Sequence, residues 1–505
     1  MAARYITRLA LASVSCLAVT ACGSSAPAEV STPTAGISAI PAPATPAGRR
    51  LLDWPEFGLD PQRSDSSDLA TGITPANIGH LRRISIRLGG TVDSSPVYLH
   101  GALVGGAPHD VTVVSTTYGK VIAIDAGSGR ILWTFTPPGY RRWAGSAQIT
   151  TTSPLADPDR QSVYAASPDG LIHKLSLADG TESRTGSWPV KVTRDPSHEK
   201  LAAALNIDGA DVLAATGGYF GDAPPYQGHL VAIDRRSGQL RTVFNTLCAA
   251  RRELLLPADC GASDSAILSR GGPVVEPGGG RILISTGNGP WNGTTNFGDS
   301  VLELAFPALG LRQSFTPVNQ AQLSASDSDL GSSAPALLGG DRMVVAGKDG
   351  VLRMLALSRL DGRRPAGGVG RRHRLGGELQ RLGIPGGGQL FTAPAVWRTA
   401  GHTTVFIAGE NGTGAYVLRR GRLLRAWENA NPGTSPVMAG GLLYVYDPSG
   451  GGINVYRPNS SRAIAKLAGA TGHWNSPIVV DGHVIEPEGN ANDHRLDGKL
   501  ELFTQ

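Results

Sequence analysis

Aromatic residues are scarce in this 505-residue chain, at 6%, and charged residues reach only 17%. So little charge excludes a solvated, self-repelling disordered chain. The formal net charge is only +5, and the 46 lysines and arginines are spread out rather than blocked, which excludes a concentrated nucleic-acid surface. Helical periodicity of any length is missing, so a helical bundle is excluded. The sequence has no CxxCH and therefore no site for covalent haem. Its histidines show no HxH or HxxxH spacing, which leaves a transition-metal centre without support. No Ser/His/Asp triad signature or phosphate loop appears. What the chain has in quantity is glycine (67) and proline (35), the residues that many short strands joined by tight turns require.

The N-terminus reads as an address. Arg4 and Arg8 precede an apolar stretch from Leu9 to Ala21, too short to span a bilayer in comfort and laid out like a secretory signal. Val19-Thr20-Ala21-Cys22 resembles the bacterial lipoprotein lipobox, which implies a signal peptide over 1–21, cleavage before Cys22 and lipidation of its thiol. Residues 22–50 are an Ala/Pro/Ser/Thr-rich tether without apolar periodicity. The expected location is the bacterial cell envelope, outside the cytoplasm and lipid-anchored to a membrane through Cys22. Only Cys248 and Cys260 remain in the body, 51–505, and outside the cytoplasm they are expected to form a disulfide. Closing so short a loop contributes about 3 kcal/mol on the loop-entropy account.

The stretch from Val111 to Phe135, VTVVSTTYGKVIAIDAGSGRILWTF, sets the pattern of the body. Three alternating runs, VTVVS, VIAID and ILWTF, are separated by Gly-containing turns, the mark of an antiparallel meander. Such a meander cannot bury its own face, so copies must stack. Eight copies can be counted, closing at 121–125, 171–175, 230–234, 300–304, 351–355, 415–418, 453–456 and 499–503. The pattern predicts an all-β, eight-bladed β-propeller of four-stranded antiparallel blades. Leu81 to Leu88, LRRISIRL, precedes the first copy and alternates in strand fashion, and it is expected to complete the last blade and close the ring.

The AIDAGSGRILW signature resembles the pyrroloquinoline quinone (PQQ) repeat of quinoprotein dehydrogenases, a repeat also used by outer-membrane assembly lipoproteins without a quinone. The opening WPEFGLDPQRSD and TGITPANIGHL look like the start of those dehydrogenases and of polyvinyl-alcohol dehydrogenases, and the likeness extends over about 53–503. It implies PQQ and Ca²⁺ on the propeller axis, the metal acting as a Lewis acid held by oxygen ligands. STGNGPWNG (285–293) resembles the family's TGNPxPWN and places Asn288 at the calcium-ligating amide. SASDSDLGSS (324–333) lies where the family has its catalytic aspartate, also a metal neighbour: Asp329 is the better match and Asp327 the alternative. AGKDG (346–350) places Lys348 at the quinone oxygens. Each of these also suits a plain turn former or solvated turn residue.

Three departures stand against the catalytic reading. The adjacent cysteine pair is replaced by Gln148-Ile149-Thr150-Thr151, and SRGGPVVEP (269–277) lacks the tryptophan floor. In YFGDAPPYQG (219–228) only Asp222 is available where a calcium-ligating glutamate belongs. Trp133 and Trp427 are expected to dock blades rather than touch a cofactor, and the Arg-rich insertion GRRPAGGVGRRHRLGGELQR (362–381) to be a solvated loop. Two functions follow. One is a divergent quinoprotein oxidoreductase passing electrons to an external acceptor, with Asp329 as base, Asn288 and Asp222 on a metal and Lys348 on the quinone. The other is a non-catalytic envelope propeller that scaffolds or binds a protein partner.

Overall fold

The computed structural model describes residues 52–219, 221, 223–363 and 372–505. The signal, Cys22, the tether, Asp222 and the middle of the Arg-rich insertion (364–371) lie outside the described residues.

Seven antiparallel four-stranded sheets, and an eighth that gains a fifth, parallel strand from Ser66–Ser67, form the blades of a β-propeller. Blades 1 to 7 span 97–135, 155–191, 206–245, 274–315, 336–383, 395–429 and 437–467. Blade 8 combines three C-terminal strands, Ile478–Val480, His483–Glu488 and Gly498–Thr504, with the N-terminal strand Arg82–Leu88. That strand pairs antiparallel with Gly498–Thr504 from Arg82 opposite Thr504 to Leu88 opposite Gly498, which closes the ring as the alternation of LRRISIRL implies. Among the described residues no helix is long and apolar enough to cross a membrane.

The repeat chemistry is visible turn by turn. In blade 1 Asp125 Oδ1 accepts from the Ser128 amide (2.8 Å) and hydroxyl (2.6 Å), and in blade 3 Asp234 does the same with Ser237 at 2.7 and 2.8 Å. An Asx turn of this kind fixes the reversal between third and fourth strands. Apolar side chains fill the seams between blades rather than one central core. Val113, Ala123 and Trp133 of blade 1 pack with Val163 and Leu175 of blade 2, and the same arrangement recurs around the ring. Trp133 docks blade 1 on blade 2, its indole N–H donating to the Leu177 carbonyl at 2.8 Å. A Cβ on Gly180 (φ +73) would stand 2.6 Å from that indole, so glycine is required there. Trp427 donates to the Pro458 carbonyl at 2.9 Å and stacks on Tyr456 of blade 7. Both tryptophans are docking residues. Cys248 and Cys260 are disulfide-bonded, with Cα atoms 5.8 Å apart.

Residues 54–67 do something the repeat does not imply: they cross the central channel and bond to one inner strand after another. Trp54 exchanges both backbone bonds with Tyr98 of blade 1, and the Ala156 amide of blade 2 donates to the Pro55 carbonyl. The Asn206 amide side chain of blade 3 and the Val275 N–H of blade 4 both donate to the Pro61 carbonyl. Val396 of blade 6 and Met438 of blade 7 donate to the Ser64 and Asp65 carbonyls. Arg63, 1% exposed, rivets this plug: it donates to the carbonyls of Phe57, Leu205 and Gly271 and to the Glu56 carboxylate (2.7 Å).

The fold also buries carboxyl groups with little to charge-balance them. Glu486 is 1% exposed, neither side-chain oxygen has a hydrogen-bond partner, and burial, reinforced by Glu488, raises its pKa well above the usual range. Asp65 is raised well above its usual value by burial, with Asp60 adding to it. A carboxyl whose folded pKa exceeds its unfolded one keeps a proton the unfolded chain has lost, so its contribution falls as pH rises from about 4 through the folded value. His483, lowered by burial, acts oppositely near its ordinary value. Wild-type Tm is expected to fall between pH 5 and pH 8, and Glu486→Gln to flatten that fall and raise stability at pH 8. Calorimetry of both proteins across that range checks it; an unchanged slope in the variant refutes the assignment.

Candidate functional site

Loops leading into the inner strands converge on a cavity of ≈ 500 Å³ at the channel mouth. They deliver Thr151 ahead of blade 2, Lys200 ahead of blade 3, Arg270 ahead of blade 4, Asp329 ahead of blade 5, Phe391 ahead of blade 6 and Trp474 ahead of blade 8. Lys348 arrives from the turn between Arg342–Val345 and Val351–Leu355. The plug is the floor: Arg270 faces the cavity while the carbonyl of the next residue, Gly271, accepts from Arg63.

Asp329, 2% exposed, is the best-held acid here. Its Oδ1 accepts the Asn288 backbone N–H, and its Oδ2 lies 2.6 Å from the Lys348 ammonium. Lys348 also bonds Asp327 Oδ1 at 2.7 Å, and its own amide donates to the Asp329 carbonyl. Gly347 permits this approach, since a Cβ there would stand 2.2 Å from the Asp329 carbonyl oxygen. The structure therefore brings Asn288, Asp329 and Lys348 together. It also ranks the two aspartates: the Asp327 side chain is 57% exposed and that of Asp329 3%. Burial raises the Asp329 pKa, with Lys348 opposing. Burial opposes the charge on Lys348 too, yet Asp329 and Asp327 hold its pKa above the ordinary lysine value. Behind Asp329 is Asp299, fully buried, which accepts from the Leu330 amide at 3.2 Å and is pushed up to about 8 by burial and by the charge of Asp329. Asp299 is thereby biased toward its neutral form, while Asp329 and Asp327 both face Lys348.

The opposite wall is cationic and aromatic. Arg270 donates to the carbonyls of Asp93 (2.9 Å) and Thr151 (3.1 Å) and to the Asp93 carboxylate (3.2 Å). His473 Nδ1 lies 2.7 Å from the other Asp93 oxygen. Burial works against the Asp93 charge, but Arg270 and His473 hold its pKa well below the usual range. Trp474 stacks on His473 (3.9 Å) and Phe391 (4.6 Å), and the Arg270 guanidinium lies 5.1 Å from its ring. Lys200 completes the wall, and its pKa is lowered to about 8 by burial, with Arg270 adding to the effect.

Sequence reading missed Asp93, Arg270, Lys200, Phe391 and Trp474. Arg270 stands inside SRGGPVVEP, the segment noted for its lack of tryptophan, and Thr151 in the segment noted for its lack of cysteines. The aromatic surface missing from SRGGPVVEP comes instead from Phe391 and from Trp474 in GHWNSP, a run that departs from the repeat.

The donors suit the two expected groups differently. A planar quinone tricarboxylate fits a cavity walled by Lys200, Arg270 and Lys348 with aromatic rings beside them. Calcium does not fit the described set. Both Asp329 oxygens are engaged, and the Lys348 ammonium already fills the niche between Asp327 and Asp329. The one group of three acid and histidine ligands among the described residues, His100, Asp110 and Asp481, does not line this cavity. Asn288 meets Asp329 through its backbone N–H.

The profile of the family described as outer membrane protein assembly factor BamB matches residues 77–290. A quinohemoprotein alcohol dehydrogenase, ADH-IIG of Pseudomonas putida, is 25% identical over 258 residues, spanning 49% of this chain and 33% of that relative. Among solved structures, the quinohemoprotein alcohol dehydrogenase from Comamonas testosteroni superposes with a TM-score of 0.62 at 15% identity, covering 90% of this chain and 80% of that one. A europium-containing methanol dehydrogenase gives 0.63 at 16% identity, covering 90% and 98%. BamB from Moraxella catarrhalis gives 0.51 at 13%, covering 84% and 98%. At these identities the structural matches speak to the fold.

Proposed function

We propose that this chain, a β-propeller of the PQQ-repeat type, is a divergent quinoprotein-type oxidoreductase that binds PQQ in the channel-mouth cavity and oxidises an alcohol. The observation that carries the reading is the buried Asp329 facing Lys348 across a cavity whose other wall is cationic and aromatic. Arg270 and Lys348 would hold the quinone's anionic edge, with Phe391 and Trp474 beside its rings. When bound, the quinone supplies the two-electron acceptor for alcohol oxidation. Asp329 accepts the alcohol proton: burial raises its pKa above the ordinary carboxylate value, which makes it a stronger base than an exposed aspartate. Burial biases Asp299 behind it toward the neutral form, which reduces the charge at the back of that base. Lys348 keeps the carboxylate oriented and balances it before the proton moves. Electrons would pass to a separate carrier. Extracytoplasmic location with a lipid anchor at Cys22 accompanies this proposal.

The non-catalytic binding propeller is the second reading, favoured by the closed Asp329–Lys348 pair and the incomplete calcium set. Titration of the purified body with PQQ, followed by quinone absorbance and tryptophan fluorescence, separates the two. Saturable 1:1 binding that persists in EDTA, with dye-linked alcohol oxidation, is the expected result. No bound quinone and no oxidation would leave the binding propeller standing.

A further inference from the structure

Lys200 stands in the cationic wall, but unlike Arg270 and Lys348 it has no carboxylate partner. It is 9% exposed and lines the cavity, and its ammonium has no hydrogen bond or ion pair among the described residues. A buried ammonium normally has a carboxylate within reach, because desolvating an unpaired charge is expensive. The carboxylate that could serve, Asp93, is spent on Arg270 and His473. Arg270 and Asp93 are the charged groups that act on Lys200, the first against its charge and the second for it. Its strand, Glu199–Lys200, is pinned against Gly217–Gly218, so the side chain is presented from a fixed backbone. An amine desolvated beside a second cation is held partly uncharged, and an uncharged lysine amine is a nucleophile toward carbonyl carbon.

We propose that Lys200 condenses with the carbonyl group of an aldehyde or ketone bound in this cavity to form an imine. The amine lone pair attacks the carbonyl carbon, and the C=O π pair moves to oxygen. A proton passes from nitrogen to that oxygen, giving a carbinolamine. Loss of that hydroxyl with the remaining N–H proton as water leaves C=N. One water is released for each imine formed, and no oxidant or reductant takes part. The ≈ 500 Å³ of space and the aromatic wall suit a planar carbonyl compound, and Arg270 favours one that carries an anionic group.

The test uses pyridoxal 5′-phosphate, a planar anionic aldehyde, with borohydride reduction and peptide mapping by mass spectrometry of the wild-type protein. The label is expected on Lys200 about 10-fold faster at pH 7.5 than on Lys120, Lys174, Lys191, Lys348, Lys466 or Lys499, because burial and Arg270 enlarge its free-amine fraction. Lys200→Arg is expected to remove that label, with folding checked by circular dichroism. A label absent from Lys200, or no faster there than at the other lysines, overturns the proposal without recourse to a variant. The outcome is independent of quinone binding: a protein that labels at Lys200 but takes no PQQ defeats only the oxidoreductase reading.

Discussion

Deletion of residues 51–90 is expected to abolish cooperative thermal unfolding, and the single change Arg63→Met to cost about 4 kcal/mol or more. The deletion removes the strand Arg82–Leu88, so Gly498–Thr504 becomes an unpaired edge and blade 8 no longer joins the chain ends. It also removes the plug that ties the inner strands together. Arg63→Met isolates the second effect. It strands the buried Glu56 carboxylate and leaves three carbonyls without their donor. Breaking a buried ion pair from one side costs about 3–5 kcal/mol, and each unsatisfied buried acceptor adds about 1 kcal/mol or more. Glu56, raised to about 7 by burial, takes up a proton once Arg63 is gone, so Glu56→Gln combined with Arg63→Met is expected to recover part of the loss. Calorimetry of the three proteins decides. A deletion protein of wild-type Tm would show that ring closure lies elsewhere, and a neutral Arg63→Met would show that the plug only rests in the channel.

Asp329→Asn is expected to lower dye-linked alcohol oxidation by about 10²–10⁴, the usual contribution of a positioned general base, while PQQ binding changes by only a few-fold. The amide keeps an oxygen to accept the Asn288 N–H and keeps the shape of the niche, but it takes up no proton and turns a neutral edge toward Lys348. Asp327→Asn, at a largely exposed side chain, is the paired control and is expected to retain activity. Wild-type activity in Asp329→Asn would remove the assigned base. Loss of PQQ binding in the same variant would make Asp329 a structural counter-charge to Lys348.

The blades were legible because their information is local. The period-2 alternation of VTVVS and VIAID and the Asp–Ser turns between strands fix each meander from about twenty-five consecutive residues, as the strands Val121–Asp125 and Ile131–Phe135 show. Asn288, Asp329 and Lys348 were legible because each lies in a short run that breaks the repeat in a family-like way. Asp93, Lys200 and Trp474 were not, because each is ordinary in its own neighbourhood and becomes unusual only beside the others. The plug was half legible: WPEFGLDPQRSD resembles an opening segment, but nothing in it says that Arg63 reaches Gly271, 208 residues away.

The sequence by itself determined the number of blades, the strand that closes the ring and the partners of the single disulfide in the body, since alternation, turn chemistry and a count of two cysteines need no third dimension. The tertiary structure alone decided what surrounds Asp329. The charge state of a buried group depends on every charge and every missing water around it, and here those come from blades far apart in the chain. That is why the pKa of Asp299 is raised, why Lys348 sits between Asp327 and Asp329, and why the Lys200 ammonium is left without a partner.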